Sequence, residues 1–293
     1  MLKCYTVKAP AKINIYLHVM PKRSDGYHAI ESIFQKIPLF DELIVQEITE
    51  LNACCVECEQ MQLPKKNTLT SIYDEFVKVT GLQNGVKVKL NKRIPSGAGL
   101  GGGSSDAASL LYALNDMFNA NLDKKTMHAI ATKVGSDVPF FLGSDCALVT
   151  GRGELIEEIP ARRDLFFVLV TPEVHSSTKE AYDNVDEWLS RKKEKNVIRL
   201  EDVKDMYFDD VQKWTFFNTF TMPQREHFPE IERVLAAVKT TKTSFFDMSG
   251  SGSSVFGVYL SEKDAQDAYG FLSQKWKHCW MLASRSACST SIR

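Results

Sequence analysis

The sequence has no apolar run long enough to cross a bilayer: its densest stretch, 165–170, is six residues, against the roughly 20 that a spanning helix needs. It has no excess of charge of either sign. The 36 Lys and Arg against 37 Asp and Glu leave −1 over 293 residues, which argues against a nucleic acid or a membrane held through bulk charge. Cysteine is sparse and odd in number, seven in all, a pattern that fits free thiols in a reducing cytoplasm and not a disulfide framework. Cys54, Cys55 and Cys58 cluster, but no second Cys/His pair with ligand spacing accompanies them, so buried thiols are expected there and not a metal. Residues 1–10 carry no apolar core, so no leader is expected. Repeats and low-complexity segments are absent. What remains is an ordinary soluble composition, 44% hydrophobic and 25% charged, in a chain long enough for two domains.

Against that background one segment stands out. Pro95-Ser96-Gly97-Ala98-Gly99-Leu100-Gly101-Gly102-Gly103-Ser104-Ser105-Asp106 holds five glycines between positions 97 and 103, a backbone-entropy cost that makes sense where side chains would be in the way. Ala107, Ala108, Leu110, Leu111, Leu114, Met117 and Phe118 follow at helical spacing. A glycine loop that feeds a helix N-terminus aims bare N–H groups and a positive dipole end at one point, which suits a phosphate. It is not a P-loop, because Gly103 stands where the lysine belongs. It matches Gly-x-Gly-x-x-Gly through Gly97, Gly99 and Gly102, but Arg93-Ile94-Pro95 separates it from the preceding strand, where a dinucleotide fold wants a tight turn. A protein-kinase glycine loop continues into a strand, whereas this one enters a helix.

Strands are expected over 12–19, 43–48, 86–90, 165–170 and 255–260, and helices over 68–79, 124–134, 229–238 and 262–276. In 12–19, Ile13, Ile15, Leu17 and Val19 alternate with Lys12, Asn14, Tyr16 and His18, the pattern of a half-buried strand. Asp25-Gly26 marks a turn before Tyr27-His28. The stretch 186–214, with its mixed-sign run at 191–195, reads as a solvated helical hairpin. A second Gly/Ser segment, 249–254, is expected to let two backbones pack closely, with closure of the back of the site as the alternative. Without a regular βαβ alternation the fold class is α+β, divided into 1–155 and 156–293.

A phosphoryl transferase needs charge neutralisation on the transferring group and a base beside the acceptor hydroxyl. Lys12 and Asn14 emerge about 7 Å apart on one strand face, and Asp137 lies where Gly135-Ser136-Asp137 runs into the apolar Val138-Pro139-Phe140-Phe141. A partly desolvated carboxylate beside a lysine can serve as a base; a solvent-facing lysine and a turn aspartate are the plainer alternatives.

Together, Pro10-Ala11-Lys12-Ile13-Asn14, Asp25-Gly26-Tyr27-His28, the glycine segment through Ala108, Gly135–Phe141 and Met248-Ser249-Gly250-Ser251-Gly252-Ser253 resemble the GHMP kinases. Tyr27-His28 and the Asp-Val-Pro-Phe-Phe run resemble the branch of that superfamily that acts on a cytidine-diphosphate methylerythritol. The resemblance implies a domain like the second domain of ribosomal protein S5 that binds ATP, then a ferredoxin-like, substrate-binding domain. It implies ATP with Mg²⁺, a small-molecule substrate, no nucleic acid or membrane, and a cytoplasmic monomer or weak homodimer. Asp137 would take the proton of the substrate 2-hydroxyl, Lys12 would hold Asp137 charged, and Asn14 would fix the erythritol end. Pro95, Gly97, Ala98, Gly99, Leu100, Gly101, Gly102, Gly103, Ser104 and Ser105 would wrap the ATP phosphates, either serine being a candidate metal or phosphate ligand. Asn67 would lie near the adenine. His28 would read the cytosine between Tyr27 and Tyr182, with Lys92 and Thr178 near the glycine loop and substrate. Another GHMP kinase, of the mevalonate-phosphate type, and a catalytically silent regulatory binder stay open. Asn218-Thr219-Phe220-Thr221 departs from the Asn-Asp-x-Glu pattern frequent in the family.

Overall fold

The computed structural model describes residues 2–174, 177–191 and 198–286. Two long strands make the frame: β1 (Cys4–Lys22) and β2 (His28–Leu51), antiparallel along almost their whole length. The other edge of β2 is shared. Its first half pairs with β5 (Cys146–Thr150), which carries β6 (Leu155–Glu158), and its second half pairs with β4 (Asn84–Asn91), which carries β3 (Cys54–Glu57) in parallel. On this six-stranded sheet lie α1 (Thr68–Thr80), α2 (Gly102–Met117), α3 (Lys124–Val134) and the single turn α4 (Val138–Phe141). Asn67 starts α1 with a capping box, and Gly81 ends it at φ 71, a left-handed value that suits glycine.

The second sheet has four antiparallel strands, β7 (Phe166–Val170), β8 (Phe245–Met248), β9 (Val255–Tyr259) and β10 (Cys279–Ala283), ordered β10-β7-β9-β8. Numbered along the chain that is 4-1-3-2, the ferredoxin-like order. Between β7 and β8 come α5 (Thr178–Arg191), α6 (Leu200–Phe208), α7 (Thr221–His227) and α8 (Pro229–Lys239), and α9 (Glu262–Leu272) joins β9 to β10. The division expected after residue 155 falls inside β6. Most of the mixed-charge run lies in 192–197, outside the described residues. No helix among the described residues is long and apolar enough to cross a membrane.

The sheets share an apolar layer in which Ala11, Ile13 and Tyr16 of β1 meet Phe167 and Leu169 of β7 and Phe256 and Val258 of β9. This corrects the reading of 12–19 as half-buried, because both faces are covered: Lys12, Asn14 and His18 are as buried as their apolar neighbours. The face assignment also changes. The register slips between Asn14 and Tyr16, and one extra residue in a strand exchanges its two faces. Ile13 and Tyr16 therefore point between the sheets, while Leu17 and Val19 join the helix-covered core.

Candidate active site

A cleft of about 440 Å³ runs beside the glycine loop, from Met61, Leu63 and Asn67 past Lys12 and Asp137 to Thr178 and Tyr182. The loop is held in place on three sides. Arg93 and Ile94 donate their N–H groups to Asp41 Oδ1 at 2.6 and 2.9 Å. The Lys12 N–H donates to Leu100 O at 2.9 Å, and the Ser254 N–H donates to Ala98 O at 3.2 Å. The Ser249 hydroxyl donates to Gly99 O at 3.0 Å. Gly99 sits at φ +78 with a would-be Cβ 1.9 Å from Ser249 O, so no side chain fits there. The second Gly/Ser segment thus packs on the first, as its composition leads one to expect, and Gly250 and Ser251 also line the cleft.

Gly101 caps α2 at φ 70 without any side-chain cap bond. The first N–H groups of a helix have no partner within it, and here Gly102, Gly103 and Ser104 carry them along the cleft wall. Beneath, Lys92 is clamped between two carboxylates, Asp41 Oδ2 and, at 2.9 Å, Asp106 Oδ2. Burial works against the Lys92 charge, but Asp106 and Asp41 outweigh it and hold the ammonium above its ordinary pKa. Burial likewise pushes the Asp106 carboxyl up, with Lys92 opposing. Lys92 lies against the start of α2, its Nζ 3.0 Å from the position of a Cβ on Gly102.

At mid-cleft the Lys12 ammonium, 4% exposed, lies 3.5 Å from Asp137 Oδ2. It donates to Asn14 Oδ1 at 2.6 Å and sits 4.5 Å from the centre of the Phe34 ring. Burial lowers its pKa, and Asp137 offsets part of that loss. Asn14 is fixed in turn, with Nδ2 donating to Ser32 Oγ at 2.9 Å and its N–H to Ser249 Oγ at 3.2 Å. Asp137 is the N-cap residue of α4, makes no side-chain cap bond, and is 33% exposed. A carboxylate held beside an ammonium yet open to the cleft can accept a proton from a hydroxyl placed there.

At the far end, His28 stacks on Tyr182 with ring centroids 5.0 Å apart, and Tyr182 meets Phe220 edge-on at 4.9 Å. His28 Nδ1 lies 2.8 Å from Met20 O, a bond that requires the proton on Nδ1, and Nε2 lies 3.4 Å from Asp186 Oδ1. Burial pushes the Tyr182 hydroxyl up to about 12. Tyr27 is 57% exposed and lies under the Arg152 guanidinium, 5.0 Å from the ring centre. Thr178 Oγ1 is 3.5 Å from Ser251 Oγ.

The cleft therefore gathers Lys12, Asn14, Asn67, Lys92, Pro95, the loop from Gly97 to Ser104, Asp137, Thr178 and Tyr182. His28 reaches it through its stack on Tyr182, Tyr27 is exposed and does not line it, and Ser105 is fully buried. The Asn67 amide is committed locally: its Oδ1 accepts from the Leu69 and Thr70 N–H groups and its Nδ2 donates to Pro64 O at 2.9 Å. Sequence reasoning missed Asp41 and Asp106, which clamp Lys92, and Asn218, whose Nδ2 donates to Met248 O at 2.7 Å and Gly250 O at 2.8 Å. Asn218, the position of 218–221 that keeps the Asn of that pattern, thus braces the second Gly/Ser segment with its amide.

Comparison with known proteins agrees with this architecture. Residues 67–144 match the GHMP kinases N terminal domain and 203–278 the GHMP kinases C terminal domain. The chain belongs to the GHMP kinases. Among its relatives, a 4-diphosphocytidyl-2-C-methyl-D-erythritol kinase of Treponema pallidum is 36% identical over 97% of this chain and 99% of its own length. The protein of that name from Thermodesulfovibrio yellowstonii is 37% identical over 92% of this chain and 95% of its own. A crystal structure of 4-(cytidine 5′-diphospho)-2C-methyl-D-erythritol kinase superposes with a TM-score of 0.74 at 30% identity, covering 96% of this chain and 98% of that one. Homoserine kinase from Cytophaga hutchinsonii shares the fold, with a TM-score of 0.74 at 17% identity over 97% of this chain and 96% of its own.

Proposed function

We propose that this chain transfers the γ-phosphoryl group of ATP to the 2-hydroxyl of 4-(cytidine 5′-diphospho)-2-C-methyl-D-erythritol, a step in non-mevalonate isoprenoid precursor synthesis. The observation that carries the reading is that the Lys12–Asp137 pair shares one cleft with the glycine loop on one side and the His28–Tyr182 stack on the other. In this account the N–H groups of the loop and of the first turn of α2 hold the ATP phosphates. Cytosine lies at the aromatic end, where stacking on rings of this kind is worth about 1–3 kcal/mol per base. The erythritol hydroxyl then lies beside Asp137. Asp137 accepts its proton as the oxygen attacks phosphorus. Lys12 keeps Asp137 ionised and stabilises the developing alkoxide, while Asn14 fixes the direction of the ammonium. The phosphoryl transition state asks mainly for positioning and charge stabilisation, which a rigid loop and a buried lysine supply.

The donors near the loop fit Mg²⁺ carried on the phosphates and not a cage built by the protein. Among the described residues no group of three or more His, Cys, Asp or Glu is placed to hold a metal. Ser104 lines the cleft, and the buried Ser105 hydroxyl has no hydrogen-bond partner among the described residues. Magnesium bound with the nucleotide neutralises phosphate charge, and Ser104 or Ser105 would supply the protein oxygen.

The test is to incubate the protein with Mg·ATP and the cytidine-diphosphate methylerythritol and to follow the products by phosphorus NMR. A new phosphomonoester on the erythritol, absent when mevalonate phosphates are offered, supports the reading. ADP release with other acceptors alone removes this substrate, and nucleotide binding without turnover removes the catalytic reading.

A further inference from the structure

The proposed substrate carries a diphosphate between its cytosine and its erythritol, so two negative charges must cross from the His28 end of the site to Asp137. The turn between β5 and β6 touches both ends of that path. Gly151 O accepts from the Ile30 N–H at 2.7 Å, two residues beyond His28. Gly153, at φ +114, runs so close to the catalytic side that a Cβ there would lie 3.2 Å from Ser136 Cβ and 3.8 Å from Asp137 Oδ1. Arg152 lies between these two contacts. Its guanidinium rests on the Tyr27 ring and forms no ion pair among the described residues. The turn's own carboxylate is engaged elsewhere, since Glu154 Oε2 accepts from the Arg152 backbone N–H at 2.6 Å. Three other cations on this side are already matched. Lys22 lies 3.5 Å from Asp186, Arg23 lies 3.1 Å from Asp25, and Lys12 is committed to Asn14 and Asp137.

We infer that Arg152 is the diphosphate-binding residue of the substrate site, its guanidinium held on the face of Tyr27 until the phosphates of the cytidine-diphosphate moiety arrive. The physics favours arginine in this place. Its planar fork can keep one face on an aromatic ring while its edge donates two parallel N–H bonds to phosphate oxygens. The turn is tied at both ends, Gly153 N–H to Thr150 O at 3.2 Å and Ile30 N–H to Gly151 O at 2.7 Å, so the backbone position from which the side chain starts is set. Arg152 would thereby tell a cytidine diphosphate ester from a cytidine that lacks the phosphates. This inference rests on the substrate proposed above.

The experiment measures cytidine and CDP binding by calorimetry to the wild-type chain and to Arg152→Ala and Arg152→Lys, beside steady-state kinetics with the cytidine-diphosphate methylerythritol. Removing a charge-assisted contact to phosphate should cost about 10- to 100-fold. The expected result is that Arg152→Ala loses affinity for CDP by that factor and keeps its affinity for cytidine. Its KM for the erythritol substrate rises in parallel, its KM for ATP stays within about twofold, and Arg152→Lys recovers part of the loss. An equal CDP-over-cytidine preference in wild type and Arg152→Ala overturns the inference. CDP binding is read without turnover. A wild-type chain that prefers CDP in an Arg152-dependent way, yet does not phosphorylate the erythritol compound, would sink the proposed function and leave the diphosphate site standing.

Discussion

The ammonium of Lys12 lies 3.5 Å from the Asp137 carboxylate, and the two arrive there from different kinds of structure: the interior of a sheet-core strand and the start of a single helical turn. Lys12 has no freedom to leave. Its backbone N–H is tied to the glycine loop, its Nζ to Asn14, and the Phe34 ring supports its charge. Asp137 is the half of the pair that a substrate can reach. In the proposed mechanism the two duties are separated, the buried cation setting the field and the accessible carboxylate standing where it could accept the proton.

The aromatic end should be separable from the nucleotide end. Tyr182→Ala removes the ring on which His28 stacks, and loss of a base-stacking ring costs about 1–3 kcal/mol. The KM for the cytidine substrate should then rise about 5- to 150-fold at 25 °C with little change in the KM for ATP. Steady-state kinetics with each substrate varied in turn decide it. Equal weakening toward both substrates would place Tyr182 outside the cytosine end.

Gly99→Ala places a methyl group where Ser249 O already lies and asks alanine to adopt a left-handed φ. The loop must shift, so the thermal midpoint should drop by about 5 °C or more and the KM for ATP should rise. Calorimetric melting and ATP kinetics read the two effects. Gly103→Ala is the control for the melting midpoint alone, because its nearest neighbour atom to a Cβ is Thr68 Oγ1 at 3.5 Å, an ordinary contact.

The buried Asp247 carboxyl is pushed up to about 7 by burial, although the Thr221 hydroxyl and the Met248 N–H both donate to it and favour the charged form. A carboxyl whose folded pKa is above its unfolded value binds its proton more tightly in the native state. Its contribution to stability is therefore greatest below about pH 4 and is lost as pH rises toward about 7, by up to about 1.4 kcal/mol per pH unit. Asp247→Asn removes that slope. The difference in stability between variant and wild type should change in favour of the variant from pH 5 to pH 7.5, as measured by urea unfolding at each pH. A difference independent of pH would show that Asp247 is ionised throughout.

Much of this site was legible in the chain. The glycine segment, its entry into a helix, and Lys12 and Asn14 as polar residues two apart on a strand all follow from local pattern, and local pattern is what a sequence displays. The slip between Asn14 and Tyr16 was not legible, because one extra residue in a strand leaves no mark in composition, yet it exchanges the faces of everything after it. Lys92 was placed near the glycine loop but not its partners. Asp41 lies 51 residues before it and Asp106 lies 14 residues after it, and only the tertiary fold brings them together. The same holds for Asn218, which braces carbonyls 30 and 32 residues away. Tyr27 and Tyr182 were expected on opposite faces of a base. The structure puts His28 on Tyr182 and Arg152 on Tyr27, contacts between side chains that no periodicity encodes.

If Asp137 removes the proton of the acceptor hydroxyl, Asp137→Asn should stop that step alone, since the amide keeps the shape and cannot accept the proton. Rapid-quench measurement of a single turnover, with the affinities for ATP and the cytidine substrate measured on the same preparation, separates chemistry from binding. The transfer rate should fall by about a hundredfold or more with both affinities close to wild type. A wild-type transfer rate in Asp137→Asn would contradict that role and send the search for the base elsewhere in the cleft.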